Sequence, residues 1–254
     1  MKQALMWAVL SGFLISACTS SSTTSLRQDD ARLAEAVKIQ GEALLVQGDY
    51  TAALSRLLEA RKMIPDDPYL LNSLGLAYMG KKRDDLAVSS FEEALDLKPD
   101  YAEALNNLGA AYLRQKKWDL AIPAFEKVLQ DLLYPTPQFP LSNLGRVYLE
   151  KQNYQLAESY FLQALDVMPG FVTAAHGLAQ VYLASRQVEA AIDFLTNALH
   201  RLPHTAILYA DLARAYEAIG HTARARQAWK KVREYARENS ELDQTARKRL
   251  SDLD

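Results

Sequence analysis

A single cysteine, Cys18, occurs in the 254 residues, which excludes an intramolecular disulfide framework and a cysteine metal cluster. Histidine is nearly as scarce. Of His176, His200, His204 and His221, only His200 and His204 have the four-residue spacing that could set two metal ligands on one helix face. Pro203 between them breaks that geometry, and no glutamate follows His200 as a zinc-protease helix would require. A nucleophile elbow, a phosphate-binding glycine loop and a dinucleotide fingerprint are also missing. These absences argue against an enzyme and against any cofactor or metal. An excess of charge is lacking too: 29 Lys and Arg stand against 31 Asp and Glu, which disfavours nucleic acid as the main partner. No apolar run reaches the roughly 20 residues of a spanning helix.

The start of the chain nevertheless carries an address. Lys2 precedes a short apolar stretch from Leu5 to Ala17, closed by the small residues of Ile15-Ser16-Ala17-Cys18. Residues 1–17 read as a cleaved export signal. A lone cysteine at this boundary resembles the bacterial lipobox, which implies that Cys18 is lipidated and becomes the mature amino terminus. The alternative is an incidental cysteine beside an ordinary cleavage site. Acyl chains stabilise membrane attachment by about 0.8 kcal/mol per buried methylene, so the mature protein is expected on a membrane without crossing it. Thr19 follows Cys18, where enteric lipoproteins retained in the inner membrane carry aspartate. The resemblance therefore implies the bacterial outer membrane, periplasmic face. Residues 18–33 open with a Ser/Thr-rich run too polar to pack, and read as a flexible tether.

What the chain has in quantity is one pattern, repeated. Leu74-Gly75, Tyr78, Ala87, Phe91, Ala94 and Pro99 are followed at the same offsets by Leu108-Gly109, Tyr112, Ala121, Phe125 and Val128. The 34-residue period and the residue order are those of the tetratricopeptide repeat. Counting outward gives six units, at 34–67, 68–101, 102–137, 138–171, 172–205 and 206–239. Each unit is a helix hairpin that cannot bury its own apolar face, so neighbours must stack. The expected fold is all-α, a right-handed superhelical solenoid of six hairpins, monomeric, with residues 240–254 forming a capping helix. Small residues recur where paired helices approach closely, and the aromatics fill the grooves between hairpins. Turns are expected at Gly48-Asp49, Lys82-Arg83-Asp84, Lys116-Lys117, Gln152-Asn153 and Gly220-His221.

The pattern breaks once. Gly109 to Gly145 is 36 residues, where the neighbouring intervals are 34. The insert lies in Asp131 to Pro140, whose three prolines predict an extended, stiff linker in place of helix. Read from its residues alone, such an insert is either a tolerated surface loop or a break that bends the stack or presents the loop.

Leu133-Tyr134-Pro135-Thr136-Pro137 followed by Asn143-Leu144-Gly145 resembles the same place in type IV pilus pilotins. These are outer-membrane tetratricopeptide lipoproteins that help the pilus secretin assemble; the social-motility lipoproteins of gliding bacteria look similar. The resemblance implies a protein without catalysis, whose partner is a secretin subunit and whose effect is secretin multimerisation. A general envelope adaptor, recruiting peptidoglycan enzymes or other assembly machinery, is the alternative.

In such repeats the second, fifth, ninth, twelfth and thirteenth residues of the first helix point mostly into the concave groove. That count yields Leu45, Tyr69, Asn72, Leu76, Met79, Asn106, Leu113, Arg114, Phe139, Arg146, Leu149, His176 and Leu183 as candidate partner contacts. An apolar stripe with interspersed polar groups suits an amphipathic helix or extended apolar segment. The alternative is that several of these side chains simply pack against the next hairpin. Glu42 stands where chaperone-binding repeats need an asparagine to hold a terminal carboxylate, which disfavours that role. From His221 to Leu250 nine Arg or Lys oppose four acids, a run suited to an anionic partner or simply to solvent.

Overall fold

The computed structural model describes residues 16–253, with side chains described for residues 30–253. The leader expected over 1–17 lies outside these residues up to position 15. Among the described residues the chain forms thirteen α-helices and no strand. They divide into two compact units, one ending at Ala111 and the other beginning at Tyr112.

The first unit holds α1 (Ser16–Gln47), α2 (Tyr50–Met63), α3 (Pro68–Gly80), α4 (Asp84–Leu97) and most of α5 (Ala102–Arg114). Its core joins Val37, Leu57, Leu70, Leu71, Leu74 and Tyr101 to the small residues Ala60, Ala77, Ala94 and Ala104. The alanines let helices approach closely, and the large side chains fill the space left between them. Asp67 starts α3, its carboxylate accepting the N–H groups of Tyr69 and Leu70. Pro68 follows at the first helical position, where a missing N–H costs nothing.

The second unit holds α6 (Trp118–Leu129), α7 (Gln138–Glu150), α8 (Tyr154–Val167), α9 (Val172–Ala184), α10 (Val188–Arg201), α11 (Ala206–Ala218), α12 (Thr222–Tyr235) and α13 (Glu241–Asp252). Phe161 is a fully buried ring of α8. A Cβ on Gly145 of α7 would lie 2.8 Å from that ring, and one on Gly177 of α9 only 2.3 Å. The ring is therefore clamped between two glycine backbones.

The turn within each hairpin repeats one conformation. Gly48, Lys82, Lys116, Gln152, Arg186 and Gly220 all have positive φ. Around Lys82, the Lys82 N–H donates to the Met79 carbonyl and the Arg83 N–H to that of Tyr78, a Schellman closure of the helix end. Four of the six positions tolerate a side chain in the left-handed region. The turn at Arg186 was not among those expected from the sequence, although it takes the same conformation as the turns at Lys82 and Lys116.

Two expectations need correction. Residues 18–33 are helical in backbone, as part of α1, where a flexible tether was expected. No glycine or proline lies between Gly12 and Gly41, and Ser and Thr reduce helix stability by less than about 0.7 kcal/mol each, so the helix propagates back from the packed residues after Ala34. The proline-rich insert is also shorter than expected, since α7 begins at Gln138 and contains Pro140. In a first turn the absent proline N–H would have had no helical partner. Within the true loop Tyr134 is buried while Leu132 and Leu133 are 94% and 90% exposed. The Asp131 carboxylate accepts the Leu133 N–H.

Helix α13 covers the apolar side of α12, packing Leu242, Ala246 and Leu250 against Trp229 and Val232. Ser240, the N-cap, accepts from the Asp243 N–H, and Asp243 accepts from the N–H of Asn239, one residue before the cap, a variant of the capping box in which the Ser240 N–H donates instead to the Arg237 carbonyl. The hydrogen bond from Arg247, with Arg233 nearby, holds the Asp243 carboxyl below the usual carboxylate range. A depressed folded pKa stabilises above the unfolded value of 3.8 and loses that contribution as pH falls through the folded value. Acidification below the ordinary carboxylate range should therefore loosen α13, and Asp243→Asn should do so at neutral pH. Hydrogen exchange would show faster amides confined to Glu241–Asp252; unchanged protection there would refute this role.

Candidate partner-binding site

In the first unit, α1 supplies Leu45, α3 supplies Tyr69, Asn72, Leu76 and Met79, and α5 supplies Asn106. Tyr69 is half-exposed and meets Tyr101 edge-on, with centroids 5.1 Å apart. Lys98 Nζ donates to the Tyr69 hydroxyl at 2.8 Å and lies over both rings, and that hydrogen bond raises the Lys98 pKa. Burial pushes the Tyr101 hydroxyl up to about 12. Leu76 is exposed, and Leu45, Met79 and Asn106 are partly covered. Asn72 is not an open contact. It is 7% exposed, and its Oδ1 accepts from Asn107 at 2.9 Å.

In the second unit, Phe139 of α7 is exposed and meets Phe171 edge-on at 5.2 Å. Arg114 and Arg146 are exposed. Leu149 and Leu183 come together as lining residues of an open cavity of about 720 Å³, with Gln180, Asp211 and Arg214 on its polar side. Leu113 departs from expectation: it is 6% exposed and belongs to the core. The repeat position is the same as that of Leu149 and Leu183, but the elements packed around it leave no opening.

A polar ladder runs beside the leucines. Asp211, fully buried, accepts from His176 Nδ1 at 2.6 Å and from Arg214 at 3.1 Å, while Gln180 lies 3.0 Å from His176 Nε2. A proton on Nδ1 facing the carboxylate leaves Nε2 to accept from the Gln180 amide. The arrangement holds a buried charge and fixes the His176 ring; it contains no nucleophile.

Asp211 was missed in the sequence because it stands one position after a counted groove site. The signal was there, for Ser73 and Asn107 occupy the same sixth position. Ser73 donates to Glu42 and Asn107 to Asn72, each tying one hairpin to the preceding one.

Three family models described as tetratricopeptide repeat match residues 68–132, 142–206 and 183–248, together more than half of the chain. The chain belongs to the tetratricopeptide repeat family. Among curated proteins no sequence matches it. Among solved structures it is similar to PilW, a widely conserved type IV pilus biogenesis factor, at 25% identity and a TM-score of 0.74, covering 84% of this chain and 97% of that one. It is similar in fold to PilF of Pseudomonas aeruginosa at 20% identity, with a TM-score of 0.67 over 87% of this chain and 99% of that one. A chain of the APC/C hetero-tetramer Cut9-Hcn1 is also similar in fold, at 18% identity and a TM-score of 0.71, over 87% of this chain and 42% of that one. Tetratricopeptide repeat proteins mediate protein–protein interaction, and the partner has to be argued from residues. No described helix is long and apolar enough to cross a membrane.

Proposed function

We propose that this protein is a non-catalytic, lipid-anchored scaffold of the bacterial outer membrane that binds secretin subunits and promotes their multimerisation in type IV pilus biogenesis. The likeness to PilW over 97% of that chain carries the reading. It is supported by the Leu133-Tyr134-Pro135-Thr136-Pro137 insert and by the Ile15-Ser16-Ala17-Cys18 lipidation signal.

The chemistry is one of holding. A secretin subunit crosses the periplasm with strand edges unpaired, which invites aggregation. A wall of half-covered leucines beside a fixed polar ladder covers such a segment, and a lipid on Cys18 confines the complex to the membrane where insertion occurs.

Deleting the gene should leave secretin monomers at near-normal amount in place of heat- and detergent-resistant multimers, and surface pili should vanish. Cys18→Ser should release the protein from the membrane fraction and reproduce part of that defect. Normal multimers and normal pili in the deletion strain would overturn the proposal.

A further inference from the structure

Between α11 and α12 lies an open cavity of about 540 Å³. Its floor is apolar and aromatic, formed by Tyr209, Leu212, Tyr216 and Ala228, and its rim carries Arg224, Lys230 and Lys231. The one acid there, Glu234, is already taken by Lys231 at 2.8 Å. Among the described residues no carboxylate pairs with Arg224 or Lys230, so the rim keeps a net positive charge.

The cations are placed against rings. Arg224 lies 5.7 Å from the centroid of Tyr216, and Lys231 lies 5.3 Å from that of Tyr235. Tyr235 in turn contacts Tyr209 and His204, with centroids 5.7 and 5.0 Å away. A further aromatic ring entering the cavity would meet Tyr209 and Tyr216 edge-on or offset, the geometry such pairs favour.

We propose that this cavity binds an acidic peptide segment of a partner protein, inserting one aromatic side chain between Tyr209 and Tyr216 while flanking carboxylates pair with Arg224 and Lys230. The volume falls in the range of sites that take a small ligand, about 300–1,000 Å³, which suits one side chain and its neighbours better than a whole helix. A lipid surface fits poorly. Its acyl region accepts apolar groups that protrude, whereas Leu212 is 8% exposed and recessed behind a charged rim. The site does not use the leucine wall of α7 and α9 and stands independently of the secretin reading.

The test is titration calorimetry of the full chain in nonionic detergent with a synthetic peptide in which one Phe is flanked on both sides by Asp and Glu. One-to-one binding that weakens with salt is expected. Lys230→Glu and Arg224→Glu should each weaken it about tenfold, equivalent to about 1.4 kcal/mol, without altering the melting temperature, since both side chains are exposed. Should either reversal lower the melting temperature, Lys230→Ala takes its place. The same peptide with Phe replaced by Ala should not bind, and Lys62→Glu, at an exposed cation of α2, should leave binding unchanged. No binding of the Phe peptide, or binding indifferent to both Lys230 and Arg224, would overturn the proposal. So would flotation with phosphatidylglycerol vesicles that these substitutions abolish and the peptide does not displace.

Discussion

Phe161→Ala is expected to lower stability by about 3–5 kcal/mol, the cost of emptying a fully buried aromatic site that cannot collapse. It cannot collapse because both walls are helix backbone, at Gly145 and Gly177. The converse change tests the same clamp from outside. Gly177→Ala gains up to about 1 kcal/mol of helix propensity, but its Cβ would sit 2.3 Å from Phe161 Cε1 and Cζ. Overpacking of a closed core costs about 1–3 kcal/mol or more, so the net effect should be destabilising. Phe161→Leu, which shortens the ring side chain to the residue already used at Leu57 and Leu195, should relieve part of that penalty. The double variant is then less destabilised than the sum of the singles. Urea unfolding of the four proteins measures this; strict additivity would show that Gly177 and Phe161 do not compete for the same space.

The other large effect separates core from contact. Leu113→Glu should unfold the second unit, because a carboxylate buried without a partner costs several kcal/mol against a total stability of about 5–15. Leu149→Glu should keep the helical fold and lower the melting temperature far less, since that side chain, packed on one side against the core around Phe161, opens on the cavity it shares with Leu183. Under the proposed function it should weaken binding of the apolar partner segment. Circular dichroism melts distinguish the two. A Leu113→Glu protein as stable as the parent would return that residue to the partner-facing wall.

These experiments bear on residues that the repeat count treats alike. Leu113, Leu149 and Leu183 occupy one position in successive units, yet the first is core and the other two line a cavity. The same holds for polar positions. Asn72 and His176 share a place in the count, but Asn72 is closed off by Asn107, while His176 is held by Asp211 and keeps a partly open ring. Asp211 itself was not marked, and the cavity over Tyr209 and Tyr216 was hidden in a basic run that suited either an anionic partner or solvent.

Local chemistry determined the class. A 34-residue recurrence of small residues, aromatics and turn positions can be satisfied only by stacked helix hairpins, because each hairpin alone leaves an apolar face in water. It also determined the all-helical character and the absence of any recognisable catalytic motif. Tertiary structure decided which side chains remain open, which polar groups tie one hairpin to the next, and how far α1 runs back toward its start. Those outcomes depend on what the neighbouring element places over a given position. Residue type and spacing describe one helix at a time, whereas burial and charge pairing arise between helices, over separations such as the 35 residues from His176 to Asp211.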